Sequence, residues 1–112
     1  MNDQLRTQKS TDTTQLVLQK TLDIICGKWR LYIIYQLGTE PKRYGELRRM
    51  IPDVSEKVLV QELKVLVSLG VVEKKSYGEI PPRVEYSLTA KGRQVLPKLL
   101  DLTSIGETFL EP

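Results

Sequence analysis

The sequence contains no histidine and a single cysteine, Cys26. Without histidine the chain lacks the commonest general base, the commonest metal ligand and every Ser-His or Cys-His pairing. One cysteine and no histidine leave no zinc site of the usual nitrogen and sulfur kind, so no metal and no cofactor are expected. An internal disulfide is excluded too, and a cytoplasmic location is the natural expectation. No apolar run approaches the roughly 18 residues that a membrane span needs, so no membrane partner is expected. The opening stretch MNDQLRTQKSTDTTQ carries no apolar segment of the signal-peptide kind. These absences tilt the reading away from an enzyme.

What is present suits one soluble domain: 112 residues, 40% hydrophobic and 28% charged. The net charge of +3 is unevenly spread. From Pro41 to Arg93 eleven basic residues stand against seven acidic ones, whereas from Gln94 onward Lys98 faces Asp101, Glu107 and Glu111. A basic middle suggests a polyanionic partner, although a solvated surface also produces such a count.

Along the chain, residues 1–13 are polar and expected to be a flexible segment, followed by a single domain over 14–112. Leu16, Leu18, Leu22, Ile24 and Ile25 predict a first helix over 14–26, broken near Cys26-Gly27. Trp29, Tyr32, Ile33, Tyr35 and Leu37 predict a second, ended by Gly38. A short helix begins at Arg43 and closes at Ile51-Pro52, because proline disfavours helical geometry in the residue before it. Ser55 is an N-cap candidate for the strongest helix, in which Leu59, Leu63 and Leu66 form one apolar stripe and Gly70 marks the end. Lys57, Gln61, Lys64 and Ser68 fall on the opposite side. Beyond Gly70 the period drops to two, predicting a hairpin over 71–88 with Gly78 to Pro82 as its loop. Thr89 then caps a last helix over 89–110, with Pro97 expected to bend it.

Short helix, turn and longer helix over 43–69, followed by a hairpin, make a winged helix-turn-helix: an α+β fold, mostly α. A B-DNA major groove admits one helix whose side chains read base edges while cations grip phosphates. Lys57, Gln61 and Lys64 supply that chemistry, and Ser55 with the free N–H groups beside it can hold a phosphate. Lys42, Arg43, Arg48 and Arg49 flank the turn, and Lys74, Lys75 and Arg83 lie on the hairpin, where a wing follows the minor groove. Double-stranded DNA is therefore the expected partner. Trp29, Tyr32 and Tyr44 read as packing residues, and Tyr77 as a candidate phosphate contact. The apolar band of the last helix is too broad for one small core, which argues for a second copy.

The stretches Leu22 to Trp29, Lys42 to Arg49 and Ile80 to Thr89 resemble the HxlR family of bacterial winged-helix transcription regulators, over about Leu16 to Glu107. The resemblance implies a homodimer built on the first and last helices, with Leu16, Leu18, Leu22, Leu99, Leu102, Ile105 and Phe109 at its interface. It also implies operator binding through the helix over 55–69 and the wing over 74–83. Many relatives carry a redox-sensing Cys-Pro pair ahead of the first helix. Here Leu16 takes that place, and Cys26 stands where relatives often have glycine. Cys26 reads as a half-buried small hydrophobe at a helix junction. Its rival reading is a displaced sensor, with Lys20, Lys28 or Arg30 favouring the thiolate. Two other functions compete with a regulator: a winged-helix protein-interaction module and a thiol enzyme acting through Cys26. An effector, whether small molecule or oxidant, has no residue signature.

Overall fold

The computed structural model describes the backbone of residues 2–112 and the side chains of residues 12–112. Its elements run α1 (Asn2–Ile25), α2 (Arg30–Leu37), β1 (Lys42–Arg43), α3 (Tyr44–Met50), α4 (Glu56–Ser68), β2 (Val72–Tyr77), β3 (Arg83–Leu88), α5 (Ala90–Asp101) and α6 (Thr103–Leu110). The three strands form one antiparallel sheet in the order β1-β3-β2.

The helix most legible in the sequence, α4, is built as its residues dictate. Ser55 is extended, and its Oγ accepts the Val58 N–H at 3.1 Å. Such a cap stabilises a helix by about 1 kcal/mol. The stripe of Leu59, Leu63 and Leu66 is buried against Ile33 and Leu37 of α2, Leu47 of α3, and Ile51, Val54, Val72 and Leu88. Each leucine withdrawn from water contributes roughly 1.5–3 kcal/mol. The helix ends where Gly70 turns into the left-handed region at φ +76.

The hairpin is joined to α5 by a close backbone approach. Thr89 Oγ1 donates to the Gly70 carbonyl at 2.6 Å and accepts the Gly92 N–H at 3.1 Å. A Cβ on Gly92 would lie 2.1 Å from the Val71 carbonyl oxygen, so no larger residue fits there without moving backbone. Hydrophobic packing and the wing are thus tied at one corner.

Three expectations require correction. The first helix begins at Asn2, well ahead of the start expected at residue 14. Met1, and the side chains before Asp12, lie outside the described residues. The last helix, expected to run unbroken over 89–110, is two helices parted at Leu102, and Pro97 lies inside α5. At the break Thr103 Oγ1 and Ser104 Oγ donate to the carbonyls of Leu100 and Asp101, at 2.7 and 2.8 Å, in place of continuing helical bonds. Cys26 is exposed, not half-buried.

The molecule is elongated, with a radius of gyration of 17.8 Å and a longest extent of 69 Å. A compact chain of this length would have a radius near 13 Å. Among the described residues α1 shares no extended packing with any other element. Among the described residues, no helix is long and apolar enough to cross a membrane.

Candidate nucleic-acid interface

The α3–α4 unit is a helix-turn-helix closed by backbone and side-chain bonds. The Val54 N–H donates to the Ile51 carbonyl at 3.3 Å, and Arg48 Nη1 donates to the Val54 carbonyl. At the start of α3 the Arg43 N–H donates to Glu46 Oε1 at 3.0 Å, leaving the Arg43 side chain exposed. Burying Leu59, Leu63 and Leu66 forces the opposite face of α4 outward. Lys57, Gln61, Lys64 and Ser68 are all exposed on it, and Ser55 is exposed at the helix's N-cap. This one face therefore carries two ammonium groups and an amide, with the capping hydroxyl at its amino end.

Val60 belongs to the same open surface, at 38% exposure. At 100° per residue it lies about 60° from Lys57, a position that marks it as outward-facing but was overlooked because valine reads as core. An exposed aliphatic group here offers contact to a thymine methyl.

The basic residues around this face divide into two groups. Lys42 Nζ donates to the carbonyls of Leu37 and Glu40, at 3.5 and 3.1 Å. Arg48 holds the turn, as described. Arg83 has Nη2 3.2 Å from Glu79 Oε1 and Nε 3.4 Å from Glu85 Oε1, the latter an ion pair without hydrogen-bond geometry. Its guanidinium also lies 4.0 Å from the Tyr77 ring centre. These three side chains brace the fold. Arg43, Arg49, Lys57, Lys64, Lys74 and Lys75 are exposed, and none has a carboxylate partner among the described residues.

The two wing lysines are not equivalent. Side chains alternate across a strand, and Lys74 sits opposite Tyr86 whereas Lys75 sits opposite Glu85. Lys74 shares its face with Val72, Val84, Tyr86 and Leu88, the side of the sheet turned toward the core. Lys75 shares the other face with Glu73, Tyr77 and Glu85, its Nζ lying 5.2 Å from the Tyr77 ring centre. Lys75 stands opposite Glu85 in the hairpin whereas Lys74 stands opposite Tyr86, so Lys74 is the stronger wing candidate for a polyanion.

Two tyrosines complete the inner side of the site. Burial pushes the Tyr44 hydroxyl above the usual tyrosine pKa, and nearby Glu56 adds to the shift while Arg48 opposes it. Burial does the same to Tyr86. The Tyr44 hydroxyl oxygen is shielded and has no hydrogen-bond partner. Both rings stay neutral at ordinary pH and supply packing beneath the wing.

The interface candidates for a second copy lie elsewhere. Leu16, Leu18 and Leu22 are exposed on α1, as are Leu102, Ile105 and Phe109 at the end of the chain, Phe109 at 84%. Leu99 is the exception: it packs partly against the core. Trp29 and Tyr44 also pack against the core, whereas Tyr32 is largely exposed.

Comparison with known proteins agrees with this geometry. The HxlR-like helix-turn-helix family matches residues 24–112. YkvN, an HTH-type transcriptional regulator of Bacillus subtilis (strain 168), is 41% identical over 91 residues, covering 81% of this chain and 77% of YkvN. A crystal structure described as a MarR-family transcriptional regulator from Porphyromonas gingivalis W83 is 49% identical, with a TM-score of 0.75 over 80% of this chain and 87% of that one. The redox regulator HypR in its oxidised form is 37% identical, with a TM-score of 0.74 over 81% and 94% of the two chains. With helix-turn-helix, wing and exposed cationic face in place over the matched residues, the chain belongs to the HxlR-like helix-turn-helix family of DNA-binding transcriptional regulators.

Proposed function

We propose that this regulator binds duplex DNA as a cytoplasmic, non-catalytic two-fold homodimer, with α4 in the major groove and the β2–β3 wing beside the minor groove. It acts at promoters by occupying an operator. The observation that carries this reading is the division of α4: a leucine stripe wholly in the core and Lys57, Gln61 and Lys64 wholly outside it. Gln61 is suited to bidentate pairing with adenine, and each lysine to guanine or a phosphate. Ser55 and Arg43 lie at the amino ends of α4 and α3, where backbone N–H groups favour a phosphate. Arg49 and Lys74 extend the cationic track on either side of the groove helix. Lys75 adds a weaker contact from the far face of the wing, and Lys42, Arg48 and Arg83 act by holding the turn and hairpin in shape.

The dimer is supported by apolar surface that the single chain leaves in water. Leu16, Leu18 and Leu22 on α1 and Leu102, Ile105 and Phe109 near the end are too many to be stray surface residues on a chain this small. A second copy related by a two-fold axis covers them at no cost in new sequence. Leu99 then contributes from beneath, through the partly buried side of α5.

Selection of bound duplexes from a random pool tests the reading. The expected product is a pseudo-palindrome with half-sites about 34–36 Å apart, or a multiple of that spacing. Lys57→Glu with Lys64→Glu abolishes retention on the selected DNA while leaving the dimer intact. Full retention by the doubly reversed protein overturns the groove assignment and favours a protein-interaction module. A Cys26→Ser variant that responds to oxidants as the parent does removes the thiol from the regulatory account.

A further inference from the structure

Arg30, the first residue of α2, ties three helices together through one guanidinium. Its Nε donates to Glu62 Oε2 at 2.5 Å, across 32 positions of sequence, and its Nη1 donates to the Ile24 carbonyl at 2.5 Å. Glu62 stands on α4, the next residue along from Gln61. Ile24 stands in the last turn of α1. Arg30 and Glu62 side chains are only 22% and 15% exposed, so the pair is largely shielded from water and from salt. Among the described residues, no other side-chain hydrogen bond joins α1 to the rest of the chain.

The geometry depends on arginine at position 30 and places glycine at position 27 in tight contact with it. A planar guanidinium can hold a carboxylate with one edge and a carbonyl with another, which a lysine ammonium on its flexible stem does not reproduce. A Cβ on Gly27 would come within 3.0 Å of Arg30 Nε and 3.1 Å of its Cγ and Cδ. The bare backbone of Gly27 is therefore the floor on which the arginine side chain lies.

We propose that Arg30 is a positioning residue for operator recognition: it sets the direction of α1 relative to α4 and so fixes the distance between the two recognition helices of a dimer. The inference rests on the dimer reading above. Half-sites on DNA have a fixed spacing, so two groove helices bind together only if the hinge between dimer helix and recognition helix is held. In this chain the hinge is the short stretch from Cys26 to Trp29, and among the described residues α1 has no extended packing to steady it. The Arg30 fork supplies the missing restraint.

A single spin label at Ser68→Cys, at the exposed end of α4, in a Cys26→Ser background reports the separation of the two α4 helices without DNA. The parent is expected to give one narrow inter-protomer distance distribution. Arg30→Met, Glu62→Gln and Gly27→Ala each broaden that distribution at least twofold, and Arg30→Lys, which keeps the charge but not the planar fork, falls between. Should Arg30→Met fail to fold, Glu62→Gln and Gly27→Ala still decide the matter. An unchanged distribution in folded variants overturns the proposal and leaves the pair a stabilising contact only. A monomeric parent with no inter-spin distance overturns the dimer reading itself, and the positioning role with it.

Discussion

Neutralising single cations should separate those that meet DNA from those that brace the protein. Arg43, Arg49, Lys57, Lys64 and Lys74 are exposed and, among the described residues, without carboxylate partners, five on each protomer's proposed DNA side. A dimer placing all of them on phosphates neutralises ten, and at about −0.9 per phosphate the slope of log K against log salt approaches −9. If only three per protomer reach a phosphate, the slope is about −5. Lys64→Gln removes one contact from each protomer and should flatten the slope by about 1.8. Arg83→Gln should leave it unchanged to within about half a unit, because Glu79 and Glu85 lie 3.2 and 3.4 Å from its guanidinium nitrogens and already offset its charge. Its effect falls on the wing, as a lower melting temperature. Fluorescence anisotropy titrations of a labelled duplex between about 50 and 200 mM salt measure both slopes. An Arg83→Gln slope as flat as that of Lys64→Gln, or a nearly flat parent, refutes the division of the cations.

Four further outcomes follow from the packing and burial. Gly92→Ala drives a Cβ to 2.1 Å from the Val71 oxygen; overpacking of about 1–3 kcal/mol exceeds the roughly 1 kcal/mol gained in helix propensity, so thermal denaturation should show a fall of several degrees. Tyr44→Phe removes a shielded hydroxyl that has no partner, so stability should stay level or rise by about 1 kcal/mol in urea titrations. The raised pKa values of Tyr44 and Tyr86 predict stability lost above pH 10: there the unfolded chain ionises its tyrosines more readily than the folded chain, and Tyr44→Phe should soften that loss. Leu18→Glu with Ile105→Glu alters only exposed positions of the single chain, so light scattering should report half the parental mass with the helical circular dichroism retained.

Local chemistry made part of this fold legible in the sequence, and long-range geometry hid the remainder. The helix α4 was readable because its cap, its stripe and its terminating glycine all lie within sixteen consecutive residues. The hairpin was readable from its period of two. Strand β1 was not, since two residues become a strand only through pairing with Tyr86 and Glu85, more than forty positions away. The break at Leu102 has no comparable signal: the hydroxyls of Thr103 and Ser104 take the Leu100 and Asp101 carbonyls there, five residues beyond the proline expected to bend the helix.

Charge in the site divided the same way. Lys57, Gln61 and Lys64 were identifiable from helical spacing alone. That Lys42, Arg48 and Arg83 serve the fold depends on carbonyls and carboxylates whose positions no spacing rule supplies. Lys74 and Lys75 looked alike as neighbours in sequence, and the pleat sends them to opposite faces of the sheet. The Arg30–Glu62 tie, spanning α2 and α4, had no sequence signal of any kind.

Photo-cross-linking tests the central claim most directly. A selected duplex carrying 5-bromouracil in place of thymine puts the reactive atom in the major groove, where the thymine methyl would stand. After irradiation and digestion, mass spectrometry should find the nucleotide attached within residues 57–64, at Val60, Gln61 or a neighbour on that face of α4. Attachment confined to α1, α6 or the outer side of the wing, with α4 unlabelled, would contradict the account.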